Sequence, residues 1–211
     1  MKLTIFGASG GIGRILVQKA LDEGHEVTAY VRKADGFSIS DPSLHIIQGE
    51  LSESKKLNKA VSEADAVVST LGPPLKFSYP GMPIAEGHKH IVQAMETNKV
   101  KRFVTIATPS IKFEKDKRSL TTVLPRIMAR IIFPKPYKEI ITLGEIVTHS
   151  SLDWTIVRFI APNDTAETRK IKVTFGREKI NMSISRSDIA GFILQELKNN
   201  EYIHSMPIIG G

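Results

Sequence analysis

The sequence predicts an α/β fold, a doubly wound, mostly parallel sheet with helices on both faces. Three observations predict it. Short apolar runs alternate with amphipathic segments of helical period along 211 residues. Most of the apolar runs are continuous rather than alternating, as in strands covered on both faces. A glycine-rich stretch, Gly7-Ala8-Ser9-Gly10-Gly11-Ile12-Gly13, joins the first run to the first helix.

Residues 3–6 form the first strand and 11–23 the first helix, which ends at Gly24, a natural C-terminal cap. Val27–Val31 and Leu44–Gln48 are the second and third strands, followed by a helix near 54–62. Residues 66–71 make a fourth strand, closed by Gly72-Pro73-Pro74. A helix over 83–98 and a strand over 103–107 follow. The rhythm breaks at 109–136 and resumes with a helix near 137–149 and a strand over 154–158. Residues 171–175 and 179–183 flank a turn at Gly176-Arg177 and predict a hairpin. The last helix, about 186–198, has Ser185 as N-cap and Asp188 three residues on, an approximate capping box. A short terminal strand is expected at 206–209.

Composition narrows the function classes. With no cysteine, disulfides, thiolate metal sites and a cysteine nucleophile are excluded, which fits a cytoplasmic location. No apolar run is long enough for a transmembrane helix, and Met1-Lys2 leads straight into the first strand, leaving no room for a signal peptide. The net charge of +7 is concentrated. From Lys112 to Lys138 there are eight basic residues (112, 115, 117, 118, 126, 130, 135, 138) against Glu114 and Asp116, which accounts for six of the seven charges. The remainder is nearly neutral, so a nucleic-acid partner is not expected. No carboxylate pair or His/Asp/Glu cluster suggests a metal, and His88 and His90, two apart on a helix, are expected at or near the surface.

The glycine stretch carries the chemistry. Strand, glycine turn and helix in succession are the context of a dinucleotide-binding loop. Glycine lets the backbone turn tightly and approach a diphosphate, and the amides opening the helix face its negative charge. Gly7, Ser9, Gly10, Gly11, Ile12 and Gly13 are the candidate contacts. An NAD site ends its second strand with an acidic residue. Here that strand ends Val31-Arg32-Lys33, so Arg32 faces a 2′-phosphate and the cofactor is read as NADP(H). Arg14 is a second candidate for the same phosphate, or a solvated helix residue. Ligands in such sheets sit beyond the carboxyl ends of the strands. Glu50 and Leu51 are therefore placed near adenine, Leu71 and Gly72 near the ribose or nicotinamide, and Thr108 and Ser110 nearest the reacting atoms.

Several segments resemble one family. The Gly-x-x-Gly-x-x-Gly opening, Glu86–Met95 followed by Val100–Val104, Ser151–Arg158, and Ile184–Ala190 are together similar to the atypical short-chain dehydrogenase/reductases, in particular the NmrA-like group and its small flavin reductase/biliverdin-IXβ reductase members. The resemblance implies a single Rossmann-type NAD(P)-binding domain over 1–211, a small C-terminal substrate-side extension, and reduction of a flavin, quinone or related small-molecule acceptor. One departure matters. The wider superfamily pairs Tyr with Lys four residues on, whereas Tyr137 is followed by Ile141, so Tyr–Lys proton transfer is not expected. Ser110, Thr108 and Tyr137 are the candidate catalytic residues. Because the proton-transfer pair is incomplete, a non-catalytic NADP(H)-sensing regulatory protein is the alternative, and the oligomeric state stays open.

Within the interruption, Leu124, Ile127, Met128, Ile131 and Ile132 form one apolar helical stripe, with Arg126 and Arg130 on a separate face. The segment reads as a lid over the nicotinamide, as a subunit or membrane-surface contact, or as a helix packed into the core with its basic side in solvent.

Overall fold

The computed structural model describes residues 1–117 and 119–211; Arg118, one of the eight clustered basic residues, and the side chains of 120–122 and 125 lie outside the described residues. The central sheet contains β1 (Lys2–Phe6), β2 (Glu26–Val31), β3 (Leu44–Gln48), β4 (Ala66–Ser69), β5 (Arg102–Ala107) and β6 (Asp153–Arg158). Two short strands, β7 (Ala161–Asn163) and β9 (Ser183–Ser185), pair separately, and β8 (Lys172–Thr174) and β10 (Ile208–Gly210) complete the main sheet. Its order is β3-β2-β1-β4-β5-β6-β10-β8, with every pair parallel except β10–β8. Strand order reverses between β1 and β4, which opens a crevice at their carboxyl ends.

Successive side chains of one strand enter opposite faces of the sheet. Leu3 and Ile5 of β1 join Val27, Ala29, Val68 and Val104 beneath α1 (Gly11–Asp22) and α6 (Arg186–Asn199). Phe6 joins Val67, Phe103 and Ile156 beneath α2 (Ser54–Val61), α3 (Pro83–Thr97) and α5 (Pro134–Thr148). Both faces are thus dry, which explains the continuous apolar runs. Thr4, buried between them, satisfies its hydroxyl on Ala60 O at 2.5 Å.

The 171–183 hairpin does not form. Lys172–Thr174 instead pairs antiparallel with β10, and Ser183–Ser185 pairs parallel with Ala161–Asn163. The Thr174 hydroxyl accepts the amides of Gly176 and Glu178 at 3.0 and 3.2 Å, curling the chain away from a return in register. The open edge of β10 then takes β8.

The interruption contains a helix of its own, α4 (Leu120–Ile132). The next helix begins at Pro134 rather than 137, because proline at a first helical position needs no amide partner. Ahead of α4 the chain is pinned by Arg158, fully buried at the end of β6. Its guanidinium grips Asp116 with two bonds of 2.6 and 2.7 Å, and also donates to Ile111 O and Met206 O at 2.9 Å.

A tight approach marks the start of α1, where a Cβ on Gly13 would overlap the Gly7 carbonyl. Gly13→Ala should lower the unfolding free energy of the ligand-free protein by about 1–3 kcal/mol. Gly72→Ala, with nothing within 4 Å of the added carbon, should stay within about 0.5 kcal/mol of wild type. Urea denaturation of the two variants checks the contrast.

Candidate functional site

The crevice at the strand reversal is a groove of about 610 Å³. Gly7, Ser9 and Gly10 form one wall, and Arg32, Glu50 and Leu51 line the end beyond β2 and β3. Leu71 and Gly72 line it beyond β4. Eight of the residues read from the sequence as cofactor contacts therefore meet in one groove. Gly11, Ile12, Gly13 and Arg14 support it from behind. Gly13 is buried on Gly7, and Ile12 sits in the core beneath α1. Arg14 donates to Ser9 O at 3.2 Å and Gly36 O at 2.8 Å, with its guanidinium 6.0 Å over the Phe37 ring. It braces the loop after β2 rather than lining the groove.

Gly7 turns the chain with φ +78°, and a Cβ there would lie 2.8 Å from Thr70 Oγ1. That hydroxyl donates to the carbonyls of Phe6 and Gly7 at 3.2 and 3.1 Å, holding the end of β4 on the loop. The N-cap of α1 is Gly10, which has no side chain to cap with, and the first turn carries no acidic residue. Two other helix starts are closed by the protein itself. Ser185 caps α6 by accepting the Asp188 amide at 2.9 Å. For Asp188, burial alone would raise the carboxyl pKa, but hydrogen bonds from Arg169, Ser185 and Thr168 outweigh it and leave the group below its ordinary value. The start of α3 is filled by Glu139, a fully buried residue of α5 whose Oε1 accepts the amides of Ile84 and Ala85 at 2.5 and 3.1 Å. Its Oε2 accepts the Tyr79 hydroxyl at 2.5 Å. The start of α1 has no such group, and its open amides and dipole favour an anion.

Sequence reasoning missed Glu139 and Tyr79, because their partners lie 55 and 60 residues away. It also missed Arg186 as a neighbour of the glycine loop. The Arg186 Nε lies 2.9 Å from where a Gly11 Cβ would stand, and its guanidinium pairs with exposed Asp164 at 2.5 Å. The glycine at 11 signals some close approach, but the arginine making it is 175 positions distant in sequence.

Tyr30 lines the same groove and donates to Glu50 O at 2.8 Å. Burial, with Glu53 and Glu50 nearby, pushes its hydroxyl up to about 12, so it stays neutral. Arg32 is exposed on the groove and has no hydrogen-bond or ion-pair partner among the described residues.

The three candidate catalytic residues are not in this groove. Ser110 and Tyr137 line a second cavity, of about 680 Å³, along the outer side of α5. Ile111, Ile141 and Met206 give it apolar walls, and Lys112, Arg126, Arg130 and Lys138 surround it with positive charge. Thr108 is exposed and donates its hydroxyl to Ser110 Oγ at 2.9 Å. Ile141, at the position of the superfamily lysine, is thus an apolar wall one turn from Tyr137. No group of His, Asp and Glu among the described residues could hold a metal.

His88 corrects a second expectation. It is fully buried beneath α3, not near the surface. Its Nδ1–H donates to Ile84 O at 2.8 Å, so Nε2 is left to accept from the Thr105 hydroxyl at 3.0 Å. The apolar setting lowers its pKa from 6.5 to about 4.

The comparisons with known proteins bear on the family and the fold. The profile of the NAD(P)H-binding family matches residues 7–200, and the chain belongs to that family. YwnB of Bacillus subtilis (strain 168) is 25% identical over 215 residues, covering 96% of this chain and 94% of that protein. The isoflavone reductase homolog P3 of Arabidopsis thaliana is 31% identical over 115 residues, 49% of this chain, which spans about a third of that relative's length. A short-chain dehydrogenase/reductase from Veillonella parvula, solved in complex with NADP, shares the fold with a TM-score of 0.81 at 18% identity, covering 100% of this chain and 94% of its own. The resemblance to the atypical short-chain dehydrogenase/reductases and the doubly wound fold both stand.

An unfolded histidine takes up its proton near pH 6.5, whereas folded His88 resists it until about 4. Its contribution to stability is complete above 6.5 and is lost as the pH falls through that window, by about 3 kcal/mol in all. His88→Gln should flatten this part of the profile, measured by urea unfolding between pH 7 and pH 4.5. An unchanged slope would assign it to other groups.

Proposed function

We propose that the protein is an NADPH-dependent oxidoreductase that reduces a small conjugated acceptor such as a flavin or quinone. The observation that carries this reading is a juxtaposition. The uncapped start of α1 opens at the strand reversal, beside a groove that also bears the exposed Arg32. The residues fit the cofactor. Gly7, Ser9 and Gly10 would hold the diphosphate, with Gly11, Ile12 and Gly13 setting the helix start behind them. Arg186 adds a cation beside Gly11. Arg32 would take the 2′-phosphate, helped by the loop that Arg14 braces, and Glu50 with Leu51 would border the adenine. Leu71 and Gly72 would border the ribose or nicotinamide. When bound, NADPH supplies the hydride.

The chain's own contribution is to bind and orient. Hydride transfer needs the acceptor against the nicotinamide. This reading therefore requires the nicotinamide to extend past Leu71 and Gly72 to the Ser110 side of the second cavity. That cavity would offer the Ser110 and Tyr137 hydroxyls to an acceptor oxygen, apolar walls to a ring system and, beside Glu145, cations to an anionic substituent. Thr108 orients the Ser110 hydroxyl. With Ile141 in place of a lysine, the Tyr–Lys proton-transfer pair of the superfamily is incomplete. A proton on the reduced acceptor then comes from solvent, and positioning is the main task of the protein. That same absence favours a second reading, an NADP(H)-sensing regulatory protein without turnover. The reductase reading has support from the name of the Arabidopsis relative, an isoflavone reductase homolog.

Arg32→Ala should weaken NADPH binding by roughly tenfold to a hundredfold, the value of a charge-assisted hydrogen bond, and leave NADH nearly unchanged. Titration calorimetry with both nucleotides decides this, and equal losses would remove the 2′-phosphate assignment. Steady NADPH oxidation with FMN or a quinone should be measurable, and slowed by Ser110→Ala. Tight NADPH binding with no turnover across a broad acceptor panel would establish the sensor reading instead.

A further inference from the structure

We propose that α4 is a docking surface for an anionic lipid bilayer, lying in the plane of its headgroups. The helix exposes an apolar face that a globular body would ordinarily bury. Its arginines, Arg126 and Arg130, line the cavity beside α5, while its apolar stripe faces solvent. Leu124, Ile127, Met128, Ile131 and Ile132 are exposed by 48% to 70%. They stand at i, i+3, i+4, i+7 and i+8, one continuous ridge about 12 Å long. A ridge of this kind on the described surface is a site that something else covers.

Charge selects the occupant. The segment from Lys112 to Lys138 holds six of the chain's seven net positive charges. A second copy docking through the same ridge would bring that charge against itself. A nucleic acid would satisfy the charge but offers no apolar layer for five large side chains. An anionic bilayer satisfies both. The ridge enters the boundary of headgroups and acyl chains, and the negative surface potential of the leaflet attracts the basic segment behind it. No helix among the described residues is long and apolar enough to cross the membrane, so the association is peripheral.

The test is co-sedimentation of the full chain with phosphatidylcholine vesicles, with and without phosphatidylglycerol, at low and high salt. Gel filtration with light scattering runs alongside it. Binding is expected to the anionic vesicles, to fall as salt rises, and to be lost in Ile127→Glu/Ile131→Glu. Both positions are exposed, and circular dichroism verifies that the variant folds. Arg130→Ala should lower the partition coefficient roughly fivefold, the value of one basic residue at such a surface. Equal binding to neutral and anionic vesicles overturns the proposal, as does anionic binding that survives the double substitution. Failure to bind either vesicle overturns it whatever the mass in solution. A wild-type dimer that the double substitution splits would then identify a second copy as the occupant. None of these readouts depends on the cofactor or on turnover.

Discussion

The first turn of α1 rests on the carbonyl of Gly7, and the carboxyl edge of the sheet is arranged around that contact. Neither residue tolerates a Cβ, because Gly13 would overlap Gly7 O and Gly7 would press on Thr70. The absence of both side chains brings helix, loop and β4 within van der Waals distance. Thr70 then locks the loop from below with its hydroxyl. Gly10, which completes the turn by donating its amide to Gly7 O at 2.9 Å, leaves the helix start without a side-chain cap. One packing constraint thus produces both the tight βα junction and the exposed amides that suit a diphosphate.

Elsewhere the protein uses its charges to hold the frame. Arg158 and Asp116 bind the segment before α4 to the end of β6, and Arg102 pairs with Glu196 at 2.6 Å where β5 begins. Glu139 and Asp188 hold two helix starts. A buried charge is costly unless it is paired, and these pairs fix the geometry around them, although the Arg102 Nε stays without a hydrogen-bond partner. Some of the charges without such duties lie at the groove and around the second cavity. Arg32 is at one and Lys112, Arg126, Arg130 and Lys138 are at the other.

Much of the fold was legible because its signals are local. The glycine spacing of 7, 10 and 13, the apolar runs and the N-cap at Ser185 each need only neighbouring residues to be read. Arg32 was legible for the same reason, since its place at the end of β2 follows from counting. The failures came where distant partners decide. Residues 171–183 have the pattern of a hairpin, yet the edge offered by β10 and the hydroxyl of Thr174 send the two halves to different sheets. His88 lies on a helix face that periodicity alone left ambiguous, and its burial depends on Thr105 across the sheet. The α4 stripe left a lid, a surface contact and a core face open, because hydrophobic period records which side chains share a face, not which way that face turns.

By itself the sequence determined the strand–loop–helix cradle, the parallel character of the sheet and a basic terminus to β2, because each follows from backbone chemistry within a few residues. The tertiary structure decided that Ser110 and Tyr137 belong to a cavity apart from the groove, that Glu139 closes α3 while α1 stays open, and that α4 turns its apolar ridge outward. Those outcomes rest on contacts between elements tens of residues apart, where packing and charge pairing choose among arrangements that the local pattern leaves equal.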